Sequence, residues 1–309
     1  MKAMVSHITI GNYEFHYCHS VEVNSSWKTL ADTAVVELPN VGGLLEKELK
    51  VGMPVIIRLG YDDVLSEDFR GYVSAIAPKA PVRIECMDEM WRLKQETISM
   101  SWRSVKLEEV VRFIAPGAIL RNIPEVVLAP FRLEKVTRAG ALELVKEQYG
   151  LCAFFRGPEL YVGLPYLLDD EPFEWNYHFQ KNVASFGSLE FRRADDVKVK
   201  LKAISVMPDN SRVEVDLGDQ DGEVHTLHFY NLTKAELEQQ AQAKMALMKF
   251  DGYKGSFTAF GQPNAQHSGV AALEDGKYAE RGGRYFIDAV KINYNSNGYR
   301  RENTLGKVA

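Results

Sequence analysis

Along the first hundred positions, apolar residues alternate with polar ones, the period of two that a half-buried strand requires. His7-Ile8-Thr9-Ile10 runs into Gly11-Asn12, a turn signal, and resumes as Tyr13-Glu14-Phe15-His16-Tyr17. Further strands are expected at residues 33–39, 54–61, 69–76 and 81–86, with a short turn or helix at 87–93. Several short strands without a long helix point to a small antiparallel barrel or sandwich.

The period then changes. Leu107, Val110, Val111 and Ile114 fall at i, i+3, i+4 and i+7, one face of a helix that Ala115-Pro116-Gly117 stops. A second helix is expected to start at Thr137 as N-cap, to bury Leu142, Val145 and Tyr149, and to end at Gly150. Two strand-like runs follow at 151–156 and 159–163, joined at Gly157-Pro158. Helix, strand, helix and hairpin make a small α/β unit.

Strand patterning returns in the last part. Val197, Val199, Leu201 and Ala203 alternate with Lys198, Lys200 and Lys202, so one face of this strand is apolar and the other basic. Residues 213–217 are expected to pair with 224–229 across the turn 218–222. Thr233 and Glu236 form a capping box, with Leu232 and Leu237 placed as a hydrophobic staple. Leu237, Ala241, Met245 and Met248 then share a helix face as far as Phe250, and two more strands are expected around 255–260 and 284–294. The pattern therefore divides the chain into a β-rich part at 1–97, a mixed α/β part at 98–185, and a β-rich part at 186–309 that holds one helix at about 233–250.

The totals fit this picture. The chain has 309 residues, enough for two or three domains, and is 46% hydrophobic and 26% charged, as soluble globular proteins are. A net charge of −5 gives no overall pull toward nucleic acid or anionic membrane. Apolar runs stay far below the ~20 residues that span a bilayer, and the first residues lack the apolar core of a secretory signal. Cys18, Cys86 and Cys152 are far apart and odd in number, which suits buried thiols in a reducing compartment better than disulfides or a zinc site.

Candidate chemistry is sparse. His16-x-x-His19 and His225-x-x-His228 invite a metal, but i and i+3 on a strand point to opposite faces. Asp216, Asp219, Asp221 and Glu223 faintly resemble a calcium loop, yet strands flank them where helices are needed, so a turn is expected. The adjacent pairs Asp62-Asp63, Asp169-Asp170 and Asp195-Asp196 diverge, and read as solvated loop charges rather than as an acid and base facing across a cleft. No nucleophile elbow, phosphate loop or His-Glu-x-x-His is present. No catalytic, cofactor-binding or metal residue is expected, and the chain reads as a non-enzyme.

Three segments carry a resemblance. Phe69-Arg70-Gly71-Tyr72-Val73 precedes Val82-Arg83-Ile84-Glu85-Cys86-Met87-Asp88 by about ten residues. An alanine-rich helix at 234–249 leads into Tyr253-Lys254-Gly255-Ser256-Phe257-Thr258-Ala259-Phe260-Gly261. Finally, Gly283-Arg284-Tyr285-Phe286-Ile287-Asp288-Ala289-Val290 is followed by Gly298-Tyr299-Arg300-Arg301. In this order they resemble the baseplate hub of contractile phage tails, the Mu-like hub and late-control protein family, with distant similarity to type VI secretion spikes.

The resemblance implies an α+β, β-rich fold of two tube-type antiparallel β-barrel domains, 1–97 and 186–309, with a small α/β domain at 98–185 between them. It further implies a homotrimer whose six barrels ring the tail axis. The partners would be the tail tube, the spike and other baseplate proteins, with passive contact to DNA in the tube and no membrane anchor. The expected location is the virion tail, assembled in the host cytoplasm. On this reading Lys198, Lys200 and Lys202 would face the tube lumen or an acidic partner ring. Exposed aromatics for the ring contacts would come from residues such as Trp27, Trp91, Trp102 and Trp175. Two other readings remain open at this point: the hub part of a type VI or other injection machine, and a carbohydrate-binding or polysaccharide-active protein.

Overall fold

The computed structural model describes residues 3–309 apart from 63, 122, 165, 167–171, 208–210 and 231. The Asp169-Asp170 pair, and Asp63 of the Asp62-Asp63 pair, lie outside the described residues.

The N-terminal part is a run of antiparallel strands. They are β1 (Met4–Ile10), β2 (Tyr13–Phe15), β3 (Ser20–Ser26), β4 (Thr33–Leu38), β5 (Pro54–Tyr61), β6 (Val64–Ala77) and β7 (Val82–Met87), with one-turn helices α1 (Leu45–Glu48) and α2 (Met90–Leu93). Alternation does what the sequence requires: Ile8 and Ile10, Val21 and Val23, Val36 and Leu38, and Ile57 and Leu59 all point into the core. The strands run in the order β3-β4-β7-β6-β5-β1-β2. β6 is longer than its pattern suggested because of a bulge. Ile57 pairs with Phe69 and Arg58 with Glu67, which leaves Asp68 without a ladder partner and turned inward.

The middle comprises β8 (Thr97–Trp102), β9 (Val105–Lys106), α3 (Leu107–Ile114), β10 (Ile119–Arg121), β11 (Val127–Leu128), β12 (Phe131–Thr137), α4 (Arg138–Tyr149), β13 (Cys152–Arg156) and β14 (Glu159–Gly163). Helix α3 buries Leu107, Val110, Val111 and Ile114, the residues its period selected. Helix α4 begins where expected: Thr137 Oγ1 accepts the Gly140 amide at 3.0 Å. It ends at Gly150 in the left-handed region, φ 64°, which glycine reaches without steric cost. Both helices pack on Ala153, Phe155, Leu160 and Val162 to form a separate core.

The last part holds β15 (Glu174–His178), β16 (Val183–Ser185), β17 (Glu190–Arg192), β18 (Val199–Val206), β19 (Arg212–Gly218), β20 (Glu223–Tyr230), α5 (Lys234–Met248), β21 (Gly252–Lys254), β22 (Ser256–Phe260), β23 (Val270–Glu274), β24 (Gly283–Asn295) and β25 (Gly298–Val308). β24 organises the molecule. One edge carries β25; the other carries β23 against residues 283–286 and then β3 against residues 289–294. The two ends of the chain thus share one 13-stranded sheet and one core that runs from Ile8 to Leu305. The fold is β-rich α+β, with two tube-type antiparallel barrels and a small α/β domain. Residues 174–185, which the pattern groups with the α/β part, pair with β23 and β22 instead. Their partners lie more than seventy residues downstream, so no local period reveals them.

The expected hairpin between 213–217 and 224–229 does not form. β19 and β20 lie on opposite edges of β18, antiparallel and parallel to it. The link between them crosses the start of β18, where the Asp219 amide donates to Val199 O at 2.9 Å and the Glu223 amide to Lys198 O at 3.0 Å. A Cβ on Gly218 would stand 2.1 Å from Val199 O, and one on Gly222 2.5 Å from Val199 C, so the crossing needs both glycines. Helix α5 covers one face of this small sheet and closes a core of Leu201, Ala203, Val215, Leu237 and Ala241. Its capping box is formed, and Leu232, Met245 and Met248 pack against that core.

Candidate assembly site at the barrel junction

Where the two barrels meet, the sequence places charge at positions that should be apolar. Along β25, Tyr299, Arg301, Asn303 and Leu305 all face inward. The bulge in β6 delivers Asp68 opposite them. The Arg301 guanidinium meets Asp68 Oδ1 at 2.5 Å, with the side chains 2% and 0% exposed. Tyr299 Oη donates to Asp68 Oδ2 at 2.8 Å. Three further guanidinium hydrogens reach Ala265 O at 2.9 Å, Gly261 O at 3.2 Å and Asn264 Oδ1 at 2.7 Å. A buried ion pair is tolerated when its other donors and acceptors are met, as these are. Burial opposes the Arg301 charge, but Asp68 and Tyr299 beside it outweigh that and raise its pKa. Burial also pushes the Asp68 carboxyl up, against the pull of Arg301.

A second contact lies beside the shared edge. Asp288 on β24 accepts from Trp27 Nε1 at 2.9 Å and pairs with Lys28 Nζ at 2.6 Å. Tyr166 Oη donates to the same carboxylate. A Cβ on Gly306 would come within 2.3 Å of Asp288 Oδ1, so glycine leaves the room this contact needs.

All three parts of the chain line a polar cavity of about 170 Å³ that includes Asp32, Asp88, Arg156 and His267. Asp32 accepts from Ser25 Oγ at 2.6 Å and from the Ser26 amide at 3.2 Å. Asp88 accepts from the amides of Asp32 and Met90, each at 3.0 Å. Burial raises the Asp32 carboxyl to about 7. It raises Asp88 well above the usual range, and the neighbouring Asp32 adds to the effect. Burial, with Arg156 nearby, lowers His267 to about 3 and keeps its ring neutral. Arg156 Nη2 donates to His267 O at 2.9 Å, tying the α/β domain to the second barrel. These carboxylates hold backbone amides and loops together, which is structural work.

Lys198, Lys200 and Lys202 lie at the start of β18 and along it, in the three-stranded sheet and not in the barrel sheet. Val199, Leu201 and Ala203 are buried, the last two in the core that α5 closes, so the alternation is as read. Acidic groups flank the lysines: Lys202 pairs with Glu214 at 2.9 Å and Lys198 with Asp221 at 3.4 Å. Asp219 accepts from the Val199 amide and pairs with Lys249 at 2.5 Å, holding the crossing loop. Asp195-Asp196 sits in a single 3₁₀ turn. His225 and His228 occupy opposite faces of β20, while His16 lies not beside His19 but against His7.

The four tryptophans are half-buried: Trp91 stacks on Tyr72, Trp102 on Phe131, Trp175 on Phe173, and Trp27 meets Tyr166 edge-on. More exposed apolar groups include Phe173, Tyr17, Val64 and Leu44. The cysteines are free and buried, and burial pushes Cys86 to about 12 and Cys152 to about 11. Among the described residues no helix is long and apolar enough to cross a membrane. The buried Asp68–Arg301 pair also escaped the sequence reading. Its signal was present, an arginine and an asparagine between Tyr299 and Leu305 in the inward register of the strand.

No family model and no curated protein matches the sequence. Solved structures do match the fold. A tail protein from Neisseria meningitidis MC58 is similar with a TM-score of 0.68 at 13% identity, over 99% of this chain and 96% of that one. The 43 kDa tail protein of prophage MuSo2 from Shewanella oneidensis gives 0.69 at 12%, over 98% of both chains. An E. coli component of the type VI secretion system, described as structurally similar to T4 tail proteins gp27 and gp5, gives 0.61 at 7%, over 98% of this chain and 75% of that one. The likeness to phage tail proteins therefore extends over the whole fold.

Proposed function

We propose that this chain is the structural baseplate hub of a contractile phage tail, acting by matching symmetries and not by chemistry. Three copies close a ring of six barrels that joins the tail tube on one side to the central spike on the other, within the virion and assembled in the host cytoplasm. The barrels are residues 1–97 and the strands of 174–309, with 98–163 and 199–248 outside the ring. The observation that carries this reading is β24, which pairs with β3 and so makes the two barrels one body in a fold shared end to end with phage tail proteins. Open sheet edges at β2 and β16 supply backbone groups that a neighbouring copy would complete. The basic strand is assigned to an acidic partner ring and not to the lumen, since β18 belongs to the outlying sheet.

Light scattering over a dilution series tests the ring: a mass near three times 34.9 kDa is expected, and a monomer at every concentration, alone and with tail tube protein, would sink it. Charge reversal to Glu at Lys198, Lys200 and Lys202 is expected to weaken capture by other baseplate components while leaving the mass unchanged. Similarity to a type VI secretion component favours a second reading, the hub part of a secretion or injection machine. Purification of assembled particles separates the two: a phage hub travels with capsid-bearing virions, a secretion hub with cell-attached sheaths.

A further inference from the structure

The β1–β2 hairpin brings together three side chains that sequence spacing kept apart. Thr9 pairs with Glu14 and Ile8 with Phe15, and the same register carries His7 opposite His16. Ile8 and Ile10 point into the core, so His7, Glu14 and His16 share the outer face. The two imidazoles stack with centroids 4.8 Å apart and planes 24° apart. His7 Nε2 is shielded from solvent yet has no hydrogen-bond partner, with Glu14 Oε2 3.6 Å away, too far for one. A shielded nitrogen without a partner is costly, and here it faces a carboxylate and a second imidazole.

We propose that His7, Glu14 and His16 form a binding site for a divalent metal ion of the zinc class. One donor atom from each of the three lies within 4.8 Å of the others. A tetrahedral ion with bonds of about 2.0–2.1 Å needs donors about 3.3 Å apart, so they must close by roughly 1.5 Å at most. Glu14 and His16 are exposed and can turn to do so, and the His16 ring must rotate out of the stack for the lone pairs to converge. Two imidazole nitrogens and one carboxylate oxygen suit zinc, nickel or copper and disfavour magnesium and calcium, which take oxygen ligands. Three protein ligands leave a fourth position for water. The bound ion clips β2, an edge strand of three residues, to β1, which is anchored along its length on β5. The site does not depend on the hub reading.

Calorimetric titration of the EDTA-treated full chain with Zn²⁺ tests the proposal, with Mg²⁺ and Ca²⁺ as controls. One Zn²⁺ per chain is expected, together with shifts of the His7 and His16 ring signals by NMR, none at His19 or His178, and slower amide exchange at residues 13–15. His7→Ala and His16→Ala should each weaken binding by at least the roughly tenfold that even a supporting residue costs at a metal site. His19→Ala should leave it unchanged. His16 is exposed, so its variant keeps the fold, which a metal-free thermal scan verifies. Absence of saturable Zn²⁺ binding, equal binding by a His7→Ala/His16→Ala double variant, or preference for Mg²⁺ or Ca²⁺ would each overturn the assignment.

Discussion

The barrel pair and the small β18–β20/α5 unit are built on opposite principles. The barrels share a sheet, a core of more than thirty buried residues, and a fully buried ion pair between distant segments. Among the described residues, the outlying unit has a core cluster of five, two of them from its one helix, and depends on local devices, a capping box and two close-approach glycines. Long-range pairing makes the first a single cooperative body. Local chemistry makes the second a unit that can open without disturbing its neighbour.

The sharpest way to break the contrast is Arg301→Ala. It leaves Asp68 buried without its partner and is expected to cost about 3–5 kcal/mol, read as an earlier urea transition for the whole barrel pair. Replacing both partners with neutral residues of similar volume should cost far less. Leu237→Ala is expected to cost about 3 kcal/mol, yet amide exchange should accelerate at 199–248 and not in β3 or β24. Uniform acceleration would show that the two regions are one unit after all.

Acidity probes the barrel side. Asp32 is held at about 7, above its unfolded value of 3.8, so the folded state keeps a proton that the unfolded chain releases. Its contribution is fully present below the unfolded value and is lost as pH rises through about 7, with a slope of up to about 1.4 kcal/mol per pH unit. Asp32→Asn should flatten that slope, because an amide can accept from the Ser26 amide and donate to Ser25. Smallest is Thr233→Ala, which removes a cap worth about 1 kcal/mol and should loosen only α5.

What the sequence revealed follows the same divide. Helices α3, α4 and α5 were legible by their buried faces, and α4 and α5 by their caps as well, because helix periodicity and capping are local. Strand β5 was legible to its ends, since Val55, Ile57 and Leu59 keep one inward face. β3 was missed because Asn24-Ser25-Ser26 dilutes the Val21/Val23 alternation, and its pairing with β24 spans some 260 residues. The order β19-β18-β20 was misread because a short glycine-rich link between strands ordinarily means a hairpin, and here it carries the chain past the end of a third strand. The basic strand was found, but not the pairing of its lysines: Glu214, on the neighbouring β19, meets Lys202, and Asp221, read only as part of a turn, meets Lys198.

One consequence of the β24–β3 seam is mechanical. Six consecutive residue pairs, from Ala289 with Ser26 to Tyr294 with Val21, join the barrels in antiparallel register. A pull along the strands loads this whole row together as shear, whereas a pull across them opens it one bond after another. The seam is thus strong in one direction and weak at right angles to it, and the bearing capacity of the molecule depends on how its strands lie relative to the applied force.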